Sequence, residues 1–241
     1  MEENPIKLSS SLSAISDFVG SQVSRAMLIK FLKTLGYTYR RIRKSLKNAP
    51  DPLVYEQKVQ KMMQLIALER KNYLKIYYAD EASFSETPCV PYGWQPKGEP
   101  FSIPTTRGRR WNVFGIMSNN NELFSYKTTD SINSDFIIKS IDDFAQNPKL
   151  FPRTVIILDN AKVHSSALFK RKIAEWQEQG IEIFYLPTYS PHLNRIETLW
   201  RKIKHEWLLP QDFVSWDNMT SKLEDILSNM ETKYTIKFEH Y

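Results

Sequence analysis

The sequence predicts an α/β fold in which a mixed sheet is flanked by helices and preceded by a small helical segment. Hydrophobic residues make up 41% of the 241 residues and charged residues 25%, which supplies a buried core and argues against disorder. From residue 74 onward, apolar runs alternate with stretches of helical periodicity in the order β, β, β, α, β, α, β, α. Two of the runs, 155–158 and 181–186, lack polar alternation, which is typical of central strands covered on both faces.

The first 73 residues have a different pattern from the rest. Apolar residues at three- and four-residue spacing predict an amphipathic helix over 23–35, with Ser21 as its N-cap and Gly36 at its end. Asp51 followed by Pro52 predicts the start of a second helix that runs to about residue 71. We therefore expect two domains, 1–73 and 74–241.

Each later element has its own signal. Apolar runs that end in a carboxylate predict strands over 74–80 and 154–160, and a third apolar run predicts a strand over 181–187. Two strand-like runs on either side of three consecutive asparagines predict a hairpin. Its strands are 110–118 and 122–129. Helical periodicity predicts four helices, over 132–146, 166–179, 195–207 and 216–229. A long segment rich in Pro, 81–109, separates the first two strands.

Positive charge is concentrated in the first domain. Residues 1–73 contain 13 Lys and Arg against 6 Asp and Glu, whereas the remaining residues contain 20 against 21. Five basic residues fall within eight positions that contain no acid, and they are Arg40, Arg41, Arg43, Lys44 and Lys47. Such a block is typical of a surface that contacts phosphates, and a solvated face has the same composition. The charge alone leaves both interpretations open.

The composition also limits the cellular setting. The single cysteine, Cys89, excludes an internal disulfide and a zinc site built from cysteines, which fits a reducing compartment. The first residues lack the basic and apolar regions of a secretory signal, and no apolar stretch approaches the roughly 20 residues that span a bilayer. We therefore expect a soluble intracellular protein with no membrane partner.

Three carboxylates are the candidates for chemistry. Asp80 and Asp159 end predicted strands, and carboxylates at strand ends can converge at one crevice of an α/β sheet. Glu197 lies one turn into a predicted helix. Three oxygen ligands without cysteine suit Mg²⁺ or Mn²⁺, and two such ions can drive phosphoryl transfer. Each residue has an alternative role, because Asp often forms turns and Asn194 with Glu197 has the spacing of a helix capping box.

The sequence around these carboxylates decides between a role in chemistry and the alternative roles in turns and helix caps. The segments YYADEASFSETPCVPYGWQPKGEP, VIILDNAKVHSS and IEIFYLPTYSPHLNRIETLWRKIK occur in this order on the predicted elements. They resemble the three signature blocks of DDE transposases, in the mariner-like group of bacterial insertion sequences. The resemblance implies a ribonuclease H-like fold, and it implies that Asp80, Asp159 and Glu197 are the catalytic triad, with 37 residues between the last two.

The resemblance implies a reaction and its cofactors. Two Mg²⁺ or Mn²⁺ ions would support hydrolysis of phosphodiesters at transposon ends, and the freed 3′-hydroxyl would then attack target DNA. An alternative is a catalytically impaired, truncated DNA-binding product that regulates transposition. A cellular nuclease of the same fold is a third alternative, which the insertion after Asp80 and the third block argue against. All three carboxylates are present, and this favours the enzyme.

Further residues match positions of the family. Glu81 is expected to have a supporting or structural role beside the carboxylates. Asn160 and His164 are expected to orient a metal ligand or to contact DNA, with a structural hydrogen bond as the alternative for His164. Expected DNA contacts come from the basic block and from the insertion, and they are Arg40, Arg41, Arg43, Lys44, Lys97, Arg107, Arg109 and Arg110. His192 and Arg195 depart from the third block, where relatives have Asp and Pro.

The resemblance also implies partners. They are the terminal inverted repeats, target DNA and a second copy of the chain in a homodimer, all in the cytoplasm of a bacterium at the nucleoid. Residues 1–73 resemble only the end of a paired helix-turn-helix region. We therefore expect a partial DNA-binding segment followed by a linker helix in residues 1–73, and a ribonuclease H-like catalytic domain in 74–241. A separate upstream helix-turn-helix polypeptide is a further expected partner.

Overall fold

The structure, a computed structural model, describes residues 8–38, 51–87, 97 and 108–238. Contacts between residues group the chain into two units, one within 1–49 and one within 50–241. The domain boundary expected between residues 73 and 74 stays a prediction. The basic block at 40–47 and Arg107 lie outside the described residues.

The smaller unit contains two helices, α1 (Leu8–Val19) and α2 (Arg25–Thr34). Ser24 caps α2, because its hydroxyl accepts a hydrogen bond of 3.2 Å from the amide of Met27. The start predicted at Ser21 is therefore three residues too early. Gly36 follows the helix with a φ of 80°, a conformation that residues with a side chain rarely adopt, and this explains the predicted end.

The larger unit alternates strands and helices as predicted. In chain order its main elements are α3 (Pro52–Arg70), β1 (Lys75–Ser85), β2 (Arg110–Ser118), β3 (Leu123–Thr128), α4 (Ser134–Ala145), β4 (Thr154–Leu158), α5 (Ala167–Glu178), β5 (Ile181–Tyr185), α6 (Ile196–Lys202) and α7 (Trp216–Ser228). Helix α6 continues as a π-helical turn over Ile203–Trp207. No helix in the described part of the chain is both long and apolar enough to cross a bilayer.

The five strands form one mixed sheet in the order β3-β2-β1-β4-β5. Strand β1 pairs with β2 in antiparallel and with β4 in parallel, so it lies at the centre. The prediction that the first strand ends at Asp80 is wrong, because β1 continues to Ser85. Its last five residues keep their pairing with β2 after the parallel pairing with β4 has ended at Tyr78.

Helices cover both faces of the sheet, and β1 supplies residues to both. Tyr78 and Ala82 point to the face covered by α3, α6 and α7, where most of the larger hydrophobic core lies. Tyr77 and Ala79 point to the opposite face, where they pack with residues of α4 and α5. Asp80, an even-numbered residue of the strand, therefore faces α6, and its neighbour Glu81 faces the α5 layer.

The turn between β2 and β3 anchors the C-terminal segment. Asn121, buried and with a φ of 68°, donates to the carbonyl of Ile236 at 3.1 Å and accepts from its amide at 2.7 Å.

We expect Asn121→Ala to lower the free energy of unfolding by about 2–4 kcal/mol, because two buried backbone groups lose their partner. Asn120→Ala, an exposed change in the same turn, should have little effect. Urea denaturation measures both, and equal losses would contradict the expectation.

Candidate active site

Asp80 and Asp159 lie side by side where the parallel pairing of β1 and β4 ends. Strands β1 and β4 run parallel, with Tyr78 opposite Ile157. Extending this register by two residues places Asp80 opposite Asp159, which directly follows β4. Neighbouring strands are about 4.8 Å apart, so the sheet itself brings the two carboxylates together.

Asp80 is held by the helix that carries Glu197. The indole Nε1 of Trp200 on α6 donates to Asp80 Oδ2 at 3.1 Å. The ring fits because Gly115, which pairs with Asp80 across β2, has no side chain. A Cβ at Gly115 would lie 2.8 Å from Cη2 of Trp200. A glycine inside a strand often signals such a close approach, and this signal in the sequence was missed.

Asp159 is held from the opposite face of the sheet. Its Oδ1 accepts from the amide of Ala161 at 2.9 Å, so the role as a turn former, proposed as an alternative, is also present. The same oxygen lies 3.0 Å from Nδ1 of His164, a fully buried residue. On its other side, Nε2 of His164 lies 3.1 Å from Glu81 Oε1. The imidazole therefore bridges the two carboxylates.

Glu197 does not form the capping box that its spacing suggested. Helix α6 has no side-chain cap, and the amide group of Asn194 instead donates to the carbonyl of Ala79 at 3.1 Å. Among the described residues, the carboxylate of Glu197 makes no hydrogen bond. The structural alternative for this residue is therefore wrong, and its side chain is available at the cavity.

The electrostatics of the three carboxylates are those of acids held close together. Burial and the charges of Glu197, Glu81 and Asp159 raise the pKa of Asp80 to about 7. Burial and the charge of Asp159 also raise the pKa of Glu197, against the attraction of Lys204. The pKa of Asp159 is lowered instead, chiefly by its hydrogen bond with His164. A cation in the cavity would stabilise the ionised form of all three.

Burial by itself would lower the pKa of His164, but its hydrogen bonds with Asp159 and Glu81, and their charges, raise it to about 9. Since ionised carboxylates only accept hydrogen bonds, this arrangement favours an imidazole that donates from both nitrogens. The hydrogen bond from His164 gives the carboxylate of Asp159 a fixed orientation, in which Oδ1 is held on the side of the sheet away from α6.

The three carboxylates line one cavity of about 400 Å³. In the described part of the chain, no three acidic, histidine or cysteine side chains converge closely enough to hold a metal ion as they stand. The donor set nevertheless fits a hard cation, because it consists of carboxylate oxygens that repel one another. Asn194 adds a second observation, since its Oδ1 is buried at this cavity without a hydrogen-bond partner in the described part of the chain.

The other predicted site residues are placed as follows. Asn160 lines the cavity and donates through Nδ2 to the carbonyl of Leu186, which holds the loop after β5. Arg109 is exposed, pairs with Glu86 at 3.6 Å and lies 5.0 Å above the ring of Trp216. The side chains of Lys97 and Arg110 are exposed.

The two departures in the third block contact other parts of the protein and do not line the cavity with the three carboxylates. Nε2 of His192 is 3.4 Å from the hydroxyl of Tyr55 on α3. Arg195 donates to Asn119 at 2.9 Å, and its guanidinium lies 5.2 Å from the ring centre of Phe238. Arg195 therefore links α6 to the turn after β2, which accounts for an arginine where proline was expected.

We expect His164→Ala to weaken Mn²⁺ binding by about 10- to 100-fold, the usual effect of removing a group that orients a metal ligand. Titration of the protein with Mn²⁺, followed by electron paramagnetic resonance of the free ion, measures this directly. His205→Ala is the matched control, because His205 is exposed on the turn after α6. Unchanged Mn²⁺ affinity in His164→Ala would show that the bridge is only structural.

Comparison with known proteins identifies relatives of this architecture. The sequence profile of a family described as DDE superfamily endonuclease matches residues 75–220, which run from the start of β1 into the first turns of α7 and include all three carboxylates. A protein of Shigella sonnei, named insertion element IS630 uncharacterized 39 kDa protein, is 22% identical over 194 residues. The match covers 78% of this chain and 54% of the relative, so the chain spans about half the length of that protein.

Solved structures show the same fold. The Mos1 transposase paired-end complex with left transposon end superposes with a TM-score of 0.56 at 17% identity, covering 91% of this chain and 70% of that chain. The Mos1 mariner paired end complex with Mn superposes with a TM-score of 0.57 at 14% identity, covering 94% and 68%. The likeness to these structures confirms the ribonuclease H-like fold expected from the sequence.

Proposed function

The chain belongs to the DDE superfamily endonuclease family, and on that premise we propose that it is a transposase that cuts DNA at transposon ends and joins them to target DNA. The observation that carries the proposal is the cavity at the C-terminal ends of β1 and β4, which is lined by Asp80, Asp159 and Glu197. These are the three carboxylates that we propose as catalytic. They come from β1, from the end of β4 and from α6, so only the folded chain brings them together.

The cofactor that suits this cavity is Mg²⁺ or Mn²⁺, with two ions held by Asp80, Asp159 and Glu197. When bound, the ions supply charge that activates the attacking oxygen and stabilises the leaving oxygen of a phosphodiester. The Mos1 complex with Mn, although only its fold is comparable, is consistent with this choice.

Residues of the protein then orient the carboxylates. Trp200 holds Oδ2 of Asp80, which lines the cavity. Glu81 and His164 hold Asp159 from the α5 face. Such fixed donors favour catalysis because the carboxylates do not have to reorganise when charge develops.

DNA is the proposed partner, both as transposon ends and as target. On the described surface, Lys97, Arg109 and Arg110 are exposed near the insertion between β1 and β2 and suit contacts with phosphates. We assign the same role to Arg107 and to the basic block, whose proposed members are Arg40, Arg41, Arg43 and Lys44. With DNA as the substrate, the site of action is the bacterial nucleoid in the cytoplasm.

The assembly is also a proposal. From the family resemblance of residues 1–73, we also propose that a separate helix-turn-helix polypeptide takes part in the recognition of transposon ends. The active species would be a homodimer that holds two ends. Since all three carboxylates face the cavity, we favour the enzyme over a non-catalytic regulator of transposition.

The test of the proposed function is DNA cleavage. The purified chain would be incubated with Mg²⁺ or Mn²⁺ and a linear duplex that carries the inverted repeats flanking its gene, with and without the upstream polypeptide. We expect metal-dependent cuts at the repeat ends and joining of the freed 3′ ends to a target plasmid. Cuts at random positions only, or none with both polypeptides present, would contradict a transposase.

A further inference from the structure

The loop between β5 and α6 carries an aromatic residue in a strained conformation. Tyr189 lines the cavity with the three carboxylates, and 57% of its surface is exposed. Its φ is 60°, in the left-handed region that suits glycine or asparagine and is unfavourable for a bulky residue. Backbone strain of this kind is common where a side chain must point in a particular direction for function.

The strain lies in a loop that is firmly held on both sides. The carbonyl of Leu186 accepts hydrogen bonds from Lys58 on α3, at 3.2 Å, and from Asn160. After the tyrosine, Ser190 is only 4% exposed, and Asn194 is tied to β1. The loop therefore presents Tyr189 to solvent from a rigid base.

Tyr189 has no partner that would explain its position as a structural one. In the described part of the chain its hydroxyl makes no hydrogen bond, and its ring stacks on no other aromatic ring. A largely exposed ring with neither a hydrogen bond nor a ring contact among the described residues contributes little to stability. A residue such as asparagine would satisfy the same backbone with less strain. The remaining explanation is a ligand that binds the ring.

The proposed function indicates what that ligand is, and the inference rests on it. A phosphodiester that reaches Asp80, Asp159 and Glu197 places the adjoining nucleotide at the rim of the cavity, where Tyr189 lies. A neutral aromatic ring offers no charge to a phosphate, so the face of a base, on which it can stack, is the part of DNA that suits this ring. Only an unpaired base can present that face to a side chain. We propose that Tyr189 is the stacking platform for an unpaired base beside the phosphodiester that is cut.

The test compares strands with and without bases. Fluorescence anisotropy, with Ca²⁺ present to occupy the oxygen ligands, would measure binding of a labelled 16-nucleotide thymidine strand and of an abasic strand of equal length. We expect Tyr189→Ala to weaken binding of the thymidine strand about 5- to 100-fold and to leave the abasic strand unchanged. Tyr189→Phe should bind both strands like the wild type, since it keeps the ring.

The control is Tyr73→Ala. Tyr73 is 63% exposed but precedes β1, at the end of that strand away from Asp80, so this variant should bind both strands normally. If Tyr189→Ala weakens binding of the thymidine strand and of the abasic strand equally, or weakens binding of neither, the proposal that Tyr189 is a stacking platform is wrong. Failure of the wild type to cut transposon ends would overturn the proposed function instead, and the base-dependent difference in binding would still be measurable.

Discussion

Replacing Asp159 with Asn should reduce metal-dependent DNA cleavage by about 1000-fold or more, without unfolding the protein. The loss follows because a neutral amide cannot replace the carboxylate as a ligand, and metal ions supply several kcal/mol of charge stabilisation, where about 1.4 kcal/mol corresponds to a tenfold change in rate. The fold should persist, because the amide oxygen of asparagine can still accept the hydrogen bond of Ala161.

Two measurements separate catalysis from stability. Cleavage of the end-containing duplex gives the activity, and a thermal melt with and without Mg²⁺ gives the binding, because an ion that binds only the folded state raises its melting temperature. We expect Mg²⁺ to raise the melting temperature of the wild type and to have a smaller effect on Asp80→Asn, Asp159→Asn and Glu197→Gln.

Asp135→Asn is the matched control, since Asp135 is an exposed aspartate in the first turn of α4. Its cleavage rate and its response to Mg²⁺ should equal those of the wild type. Full cleavage by any of the three cavity variants would remove that residue from the proposed catalytic triad.

Trp200→Phe should lower both metal affinity and cleavage by about 10- to 100-fold, the range found when a group that orients a metal ligand is removed. Phenylalanine keeps most of the buried packing of the ring, but it lacks the N–H that holds Asp80 Oδ2. The carboxylate of Asp80 would then lose the donor that orients it from α6.

Gly115→Ala tests the same bond from the other side. The new methyl group would lie 2.8 Å from the indole ring of Trp200, so the ring must move away from Asp80. We expect weaker Mn²⁺ binding in this variant too, although the indole N–H is still present. If Trp200→Phe and Gly115→Ala both weaken Mn²⁺ binding, the weakening is due to the loss of an indole N–H correctly placed beside Asp80.

Trp176→Phe is the control for both, because Trp176 makes the same kind of bond, 2.8 Å long, to Asp142 on the other face of the sheet. This variant should lose stability and keep its Mn²⁺ affinity. If Trp200→Phe and Trp176→Phe have equal effects on Mn²⁺ affinity, the role of Trp200 in positioning Asp80 is contradicted.

Most elements of the fold could be predicted from local pattern. The hairpin strand 110–118 is observed with the same bounds, and the helix predicted from Pro52 ends one residue before the expected position. These predictions succeed because periodicity and helix caps depend on residues close in sequence. The end of β1 was placed wrongly at Asp80 because its last residues, up to Ser85, depend on pairing with β2, which lies beyond the long insertion.

The candidate site, like the fold, has some features that the sequence predicts and others that depend on the tertiary structure. By itself, the sequence determined the family and the order of the elements, and it pointed to the three carboxylates that we propose as catalytic, because short motifs carry that information. It did not reveal that Asn194 binds Ala79, 115 residues away, in place of capping α6. It also did not reveal that Trp200 holds Asp80 across 120 residues. Only the tertiary structure decided these contacts, because they depend on strand register and on which face of the sheet each helix covers.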